Sequence, residues 1–213
     1  MKSKLVFVFA LLLTAAQSFA QNPAYLKTME GLVSKIQTTQ FGTPLQPLAN
    51  QMERIASAEK GEWLPNYWVA FCYLRDSYIE TDAAKKDMIL DKADEYFNKA
   101  EALSQNNDEL EVLKANLANG RLVVSPQDRW QTYGAKVAAA IGNAKKINAE
   151  NPRISLLEGE GMFYTPEAFG GGKPKAKVFF EKALEKYAKF TPKSSIHPSW
   201  GKEITDWYIS QCN

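Results

Sequence analysis

Apolar residues recur along this chain at the three-and-four spacing of a helix, and alternating runs bounded by turns are missing. The clearest stretch covers residues 173–192, entered through a Gly-rich turn and stopped by proline. Ala176, Phe180 and Ala183 fall at i, i+4 and i+7 there, so they share one face. A small, large, small face lets a neighbouring helix come close while filling the hole between. The same period predicts helices over residues 23–39, 45–58, 63–79 and from about 83 to 103. Further on it predicts helices from 108 to about 120, 126 to about 150, 154–164, 175–190 and a short one over 200–210. Punctuation separates them: Phe41-Gly42-Thr43-Pro44, Glu59 to Glu62, Ser104 to Asp108, Asn151-Pro152 and the run from Thr165 to Gly172. Thr81-Asp82 and Ser125-Pro126 carry N-cap signals, with proline suited to the first helical position. The fold expected is all-α, about four antiparallel helix pairs winding into a superhelix, plus a C-terminal helix.

The second helices of the pairs repeat. Ala93, Phe97 and Ala100 match Ala176, Phe180 and Ala183, while Val137, Ile141 and Ala144 keep the pattern with larger groups. Ala49, Glu53 and Ala56 keep only its small members. The last small position falls at 56, 100, 144 and 183, a period that marks a helical array. Ala70 and Tyr73 supply the small–aromatic pair of a first helix, and Gly159 with Met162 supplies a poorer one. These triplets and pairs resemble the tetratricopeptide family. The units are longer than that family's, and Ala149 stands where its closing proline is expected. Three further stretches resemble exported proteins of Bacteroidetes-type bacteria: Met52-Glu53-Arg54-Ile55-Ala56 with Glu62-Trp63-Leu64-Pro65, Thr165-Pro166 with Phe169-Gly170-Gly171-Gly172, and His197-Pro198-Ser199-Trp200-Gly201. That resemblance implies a bacterial envelope protein and supplies no catalytic residues.

The N-terminus changes the picture of charge. Lys2 and Lys4 precede an apolar run over residues 5–16, and Ser18-Phe19-Ala20 offers small residues where a signal peptidase reads. Residues 1–20 are expected to be a signal peptide and residues 21–213 the helical repeat domain, periplasmic or secreted, with no integral span after cleavage. Loss of the two lysines leaves 24 basic against 24 acidic residues, so nothing electrostatic favours nucleic acid as a partner. Cys72 and Cys212 are too few for a disulfide framework, and read as one buried thiol and one mobile one.

Little here points to chemistry. Gly170-Gly171-Gly172-Lys173 has Glu167 and Pro174 where a phosphate-binding loop needs Gly and Ser or Thr, so it reads as an interhelix turn. His197, the single histidine, reads as a turn residue before proline. Glu158 and Glu160, two apart on a helix, do not face the same way and read as solvated charges. The chain is therefore expected not to be an enzyme, with no cofactor and no metal. Aromatic residues, 12% of the chain, cluster in Trp63, Tyr67, Trp68, Phe71, Tyr73 and Tyr78. Part of this run must be core, and part is the richest candidate binding surface. Trp63, Tyr67, Trp68, Tyr73 and Tyr164 are the candidates for contact with a ligand or partner. Two expectations follow. One is an exported scaffold holding a protein or peptide on the concave face that first helices build. The other is a periplasmic binder of a small ligand, its pocket lined by Tyr67, Trp68, Tyr73 and Tyr164.

Overall fold

The computed structural model describes residues 23–212; the expected signal peptide lies outside them. Nine α-helices and one short 3-10 turn occupy the described residues, with no strand among them. In chain order they are α1 (Pro23–Thr38), α2 (Gln46–Ala58), α3 (Trp63–Ile79), α4 (Ala83–Leu103), α5 (Asp108–Leu122), α6 (Pro126–Ile147), α7 (Pro152–Tyr164), α8 (Lys173–Tyr187) and α9 (Lys202–Gln211). Consecutive helices pack pairwise, most extensively α3 on α4, α5 on α6 and α7 on α8.

Short polar side chains start several of these helices. Asp82 Oδ1 accepts from the Lys85 N–H at 2.8 Å, Asn107 Oδ1 from Glu109 at 3.0 Å and Asn151 Oδ1 from Arg153 at 3.1 Å. Each such cap contributes about 1 kcal/mol. The Asn151 cap lets α7 begin at Pro152, two residues before the apolar period does. Ser125 occupies the position before α6, but its Oγ donates to Asp128 Oδ2 at 2.6 Å and caps no backbone N–H. The second helix of the fourth pair stops at Tyr187, not 190. The last helix starts at Lys202, since Trp200 is drawn out of it into the core.

The repeat triplets lie at the helix contacts. Ala93, Phe97 and Ala100 are buried in α4, and Ala176, Phe180 and Ala183 in α8. In α6 the buried residues are Ala140 and Ala144, while Val137 and Ile141 are only half-covered. Glu53, the member that breaks the pattern in the first pair, is half-buried and accepts the Tyr73 hydroxyl at 2.8 Å. Gly159 shows how close the pairs come. A Cβ built there would sit 2.4 Å from Phe180 Cε1, so only glycine lets α7 lie flat against that ring. Ala100 has no exposed surface, whereas Ala56 keeps some. Ala100→Leu is expected to cost about 1–3 kcal/mol through overpacking, and Ala56→Leu less. Urea midpoints of the two variants check this; equal midpoints would remove Ala100 from a helix crossing.

Because each odd helix is followed by an antiparallel partner, α3, α5 and α7 run the same way and form one face. The segment joining α8 to α9 folds back across the N-terminal half of that face. Ile196 is fully buried and its carbonyl accepts Trp68 Nε1 at 2.8 Å. Trp200 Nε1 donates to Tyr67 Oη at 2.8 Å, and its ring lies 5.1 Å from Phe71. Ser195 reaches Glu30 and Ser199 reaches Gln37, both on α1, at 2.6 and 2.7 Å. The chain thus fills with its own tail part of the surface where a helical array would seat an extended peptide.

Candidate ligand-binding groove

At the other end of the odd helices the face is open. Tyr78, in the last turn of α3, donates to Asn116 Oδ1 on α5 at 2.7 Å. Tyr164 closes α7 and lies 3.3 Å, hydroxyl to hydroxyl, from Tyr208 on α9. Tyr208 is itself held by aromatic rings: it stacks on Phe180 at 4.8 Å and 5°, and meets Phe163 and Trp207 edge-on at 5.2 and 5.0 Å. Tyr164 is 68% exposed and Trp207 48%, and Phe169, in the 3-10 turn Glu167–Phe169, is 82% exposed. Rings of this size contribute most when covered, so leaving Tyr164 and Trp207 open beside a packed aromatic cluster describes a surface awaiting a flat apolar partner. A cation stands at its rim: Lys173 Nζ is 5.7 Å from the Phe163 ring centre.

Glu160 is half-buried and not on the solvated helix surface expected for it. It sits one turn before Tyr164 on α7. Burial alone pushes its carboxyl up to about 8. The phenols of Tyr78 and Tyr208 are pushed up by burial first and by the Glu160 charge in addition. Glu158, facing the other way, pairs with Lys145 at 2.5 Å as a surface charge does.

Of the five residues singled out in the sequence, only Tyr164 lies in this groove. Tyr67 and Trp68 are wholly inside the core, their polar tips used by Trp200 and Ile196. Tyr73 turns toward α2 and α4, bonded to Glu53 and stacked with Tyr96 at 6.5 Å. Trp63 is half-buried at the far end, edge-on to Tyr67 and to His197 at 5.8 and 5.7 Å. A pocket built jointly by Tyr67, Trp68, Tyr73 and Tyr164 is therefore not formed. Phe163, Trp207 and Tyr208 were not among the candidates. No local signal marks them, because Tyr164 and Tyr208 stand 44 residues apart in sequence.

A concavity of about 200 Å³ lies at the opposite end of the odd helices, lined by Lys186, Lys189, Lys193, Phe190, His197 and Asp108 among others. His197 Nδ1 is 2.7 Å from Ser194 Oγ, and burial, with Lys193 adding to it, pushes the imidazole pKa down. The acids there are already engaged: Asp108 with Asn148 and Asn151, Glu109 with Arg153. Cys72 is buried and Cys212 half-buried against the α8–α9 cluster, both as free thiols. Among the described residues no group of His, Cys, Asp and Glu is placed to hold a metal ion, and no helix is long and apolar enough to cross a membrane.

The solved structure of the HusA haemophore from Porphyromonas gingivalis matches this fold with a TM-score of 0.79 at 32% sequence identity. The match covers 91% of this chain and 94% of that one. The chain belongs to the HusA haemophore family. No family model matches the sequence, and neither does any curated protein. The tetratricopeptide likeness remains one of helix pairing and small–large–small packing.

Proposed function

We propose that the protein binds haem, or a porphyrin close to it, outside the cytoplasm and performs no reaction on it. The observation that carries this is the open Tyr164–Trp207–Tyr208 groove in a chain of the HusA haemophore family. A porphyrin is a flat apolar plate with carboxylates on one edge. Tyr164 and Trp207 offer the plate exposed rings, Phe163, Phe180 and Tyr208 hold those rings rigidly from behind, and Lys173 stands at the rim for a carboxylate. Export is supported by the basic and apolar N-terminal run with its Ser18-Phe19-Ala20 site. The peptide-scaffold reading loses support from the tail segment, which occupies the N-terminal half of the face an extended peptide would use.

Titration of the mature protein with haemin, followed by the Soret band and by quenching of tryptophan fluorescence, tests the proposal. Tyr164→Ala and Trp207→Ala are each expected to weaken haemin binding about tenfold or more, equivalent to roughly 1.4 kcal/mol. His197→Ala, in the opposite concavity, is expected to bind as the native chain does. Undiminished binding in both groove variants, or its loss in His197→Ala alone, would move the site to the other end of the helices. No saturable haemin binding would end the porphyrin reading.

A further inference from the structure

The turn between α7 and α8 holds an aromatic ring out into water. Residues 166–170 are all exposed, and Phe169 keeps 82% of its surface. The turn is braced. Phe169 and Gly171 N–H groups both donate to the Pro166 carbonyl, at 2.9 and 3.2 Å, and Gly172 donates to Met162 at 2.9 Å. Gly171 is buried, and a Cβ there would strike the Thr165 carbonyl. One exposed ring is ordinary; what sets this one apart is the charge beside it. Lys175 Nζ donates to the Gly170 carbonyl at 2.8 Å, which places an ammonium against the turn next to Phe169. Lys175 heads a stripe on α8: Lys175, Val178, Lys182, Lys186 and Lys189 fall at i, i+3, i+7, i+11 and i+14 and share one face. Val178 is 63% exposed within it. None of the four lysines is in an ion pair among the described residues; Lys175 and Lys186 donate to carbonyls, those of Gly170 and Ala149. The acids that act on Lys186 are Glu150 and Glu158, and Glu158 is already bound to Lys145. The charge is local. Over residues 173–193 seven lysines stand against two glutamates, in a chain of 26 bases and 24 acids.

We propose that this edge of the molecule docks on an anionic lipid surface, with Phe169 set into the interface and the α8 lysines on lipid phosphates. Interfacial binding grows with the apolar area buried and with attraction to anionic headgroups, and the turn and the stripe supply one each. From Lys175 to Lys189 the stripe runs about 21 Å, at 1.5 Å per residue. Its cations are all lysines, point charges on flexible stems, which suit an array of mobile phosphates better than carboxylates fixed in one register. Phe169 stands on a convex tip among exposed Pro166, Glu167, Ala168 and Gly170, without the apolar surround that seals a protein hot spot. A lipid interface closes round a projecting ring and needs no such surround. Glu167 is the one acid on the turn, and Lys173, Lys175 and Lys177 follow it. The docking goes beyond the porphyrin reading and does not depend on it. Where both hold, the exposed Tyr164 ring, five residues before Phe169, is brought to the lipid surface.

Flotation of the ligand-free mature protein with vesicles of phosphatidylglycerol and phosphatidylethanolamine in equal parts tests this, with phosphatidylcholine vesicles as the uncharged comparison. The native chain is expected to float with the first and not with the second, and to be released in about 1 M salt, where charges act over only about 3 Å. Phe169→Ala is expected to weaken partitioning about fivefold or more, and Lys175→Gln with Lys182→Gln about tenfold or more. All three side chains are exposed, so neither variant disturbs the core. Lys27→Gln with Lys60→Gln removes the same charge from exposed sites elsewhere and is expected to change partitioning by less than about twofold. In Phe169→Trp the added indole is expected to be quenched by vesicle lipids brominated along the acyl chain. Undiminished partitioning in Phe169→Ala, an unquenched indole on bound vesicles, or an equal loss in the charge-matched control overturns the proposal. So does a native chain that ignores both kinds of vesicle, the result expected if the lysine face meets an acidic protein instead. No haemin is present in any arm, so each of these outcomes leaves the porphyrin reading where it stands.

Discussion

Arg153→Ala is expected to lower stability by about 3–5 kcal/mol, because it strands a buried carboxylate. The Arg153 side chain has no exposed surface and that of Glu109 is nearly as deep. Its guanidinium donates to both Glu109 oxygens, the Nε–Oε2 bond at 3.0 Å, and Asn151 Nδ2 adds a donor to Oε1 at 3.0 Å. The rings of Phe190 and Trp200 lie 4.7 and 5.5 Å from the guanidinium carbon. Arg153 therefore ties α5 to α7 and both to the tail segment that crosses the odd helices. Removing the arginine leaves Glu109 charged in a site without a cation, whereas replacing both partners with apolar groups of similar volume removes the charge as well. The paired change Glu109→Leu with Arg153→Met is accordingly expected to cost less than Arg153→Ala alone. Urea unfolding of the three variants decides. If Arg153→Ala unfolds at the native midpoint, Glu109 is reached by water and the pair is not what holds the tail down.

Phe180→Ala should be nearly as severe, at roughly 3–5 kcal/mol, for the opposite physical reason. The ring fills the contact between α7 and α8 with no exposed surface, lies against Gly159, and stacks on Tyr208. Truncation leaves a cavity at that crossing and removes the support behind Tyr208, so haemin binding should weaken together with stability. Gly159→Ala acts on the same contact from the other side. Its new methyl collides with the ring, an overpacking that costs about 1–3 kcal/mol. In the double variant the methyl enters the space the ring has left. The combined loss is therefore expected to be smaller than the two single losses added, with a coupling of about 0.5 kcal/mol or more between contacting residues. Strict additivity in urea midpoints would mean that Gly159 and Phe180 do not meet.

Local order determined much of the architecture. The three-and-four spacing of apolar residues specifies a helix and the face it buries, which is why the pairs, the Ala93–Phe97–Ala100 and Ala176–Phe180–Ala183 contacts and most helix limits follow from the chain read by itself. The cap at Asp82 is equally local, because the side chain and the N–H it accepts lie three residues apart. What periodicity leaves open is which segment covers a face once several apolar faces compete. Helix α3 is apolar around most of its circumference, so its sequence is the same whether Tyr67 and Trp68 line a pocket or a core. The return of the tail 128 residues later, with Ile196 on Trp68, placed them in the core. The groove is the converse case. Phe163, Tyr164, Trp207 and Tyr208 come from two helices, and each reads alone as an ordinary helix residue. Only packing α7 and α9 on α8 brings Phe163, Tyr164 and Tyr208 together and leaves Tyr164 and Trp207 open, because burial depends on every chain segment nearby and not on the spacing within one.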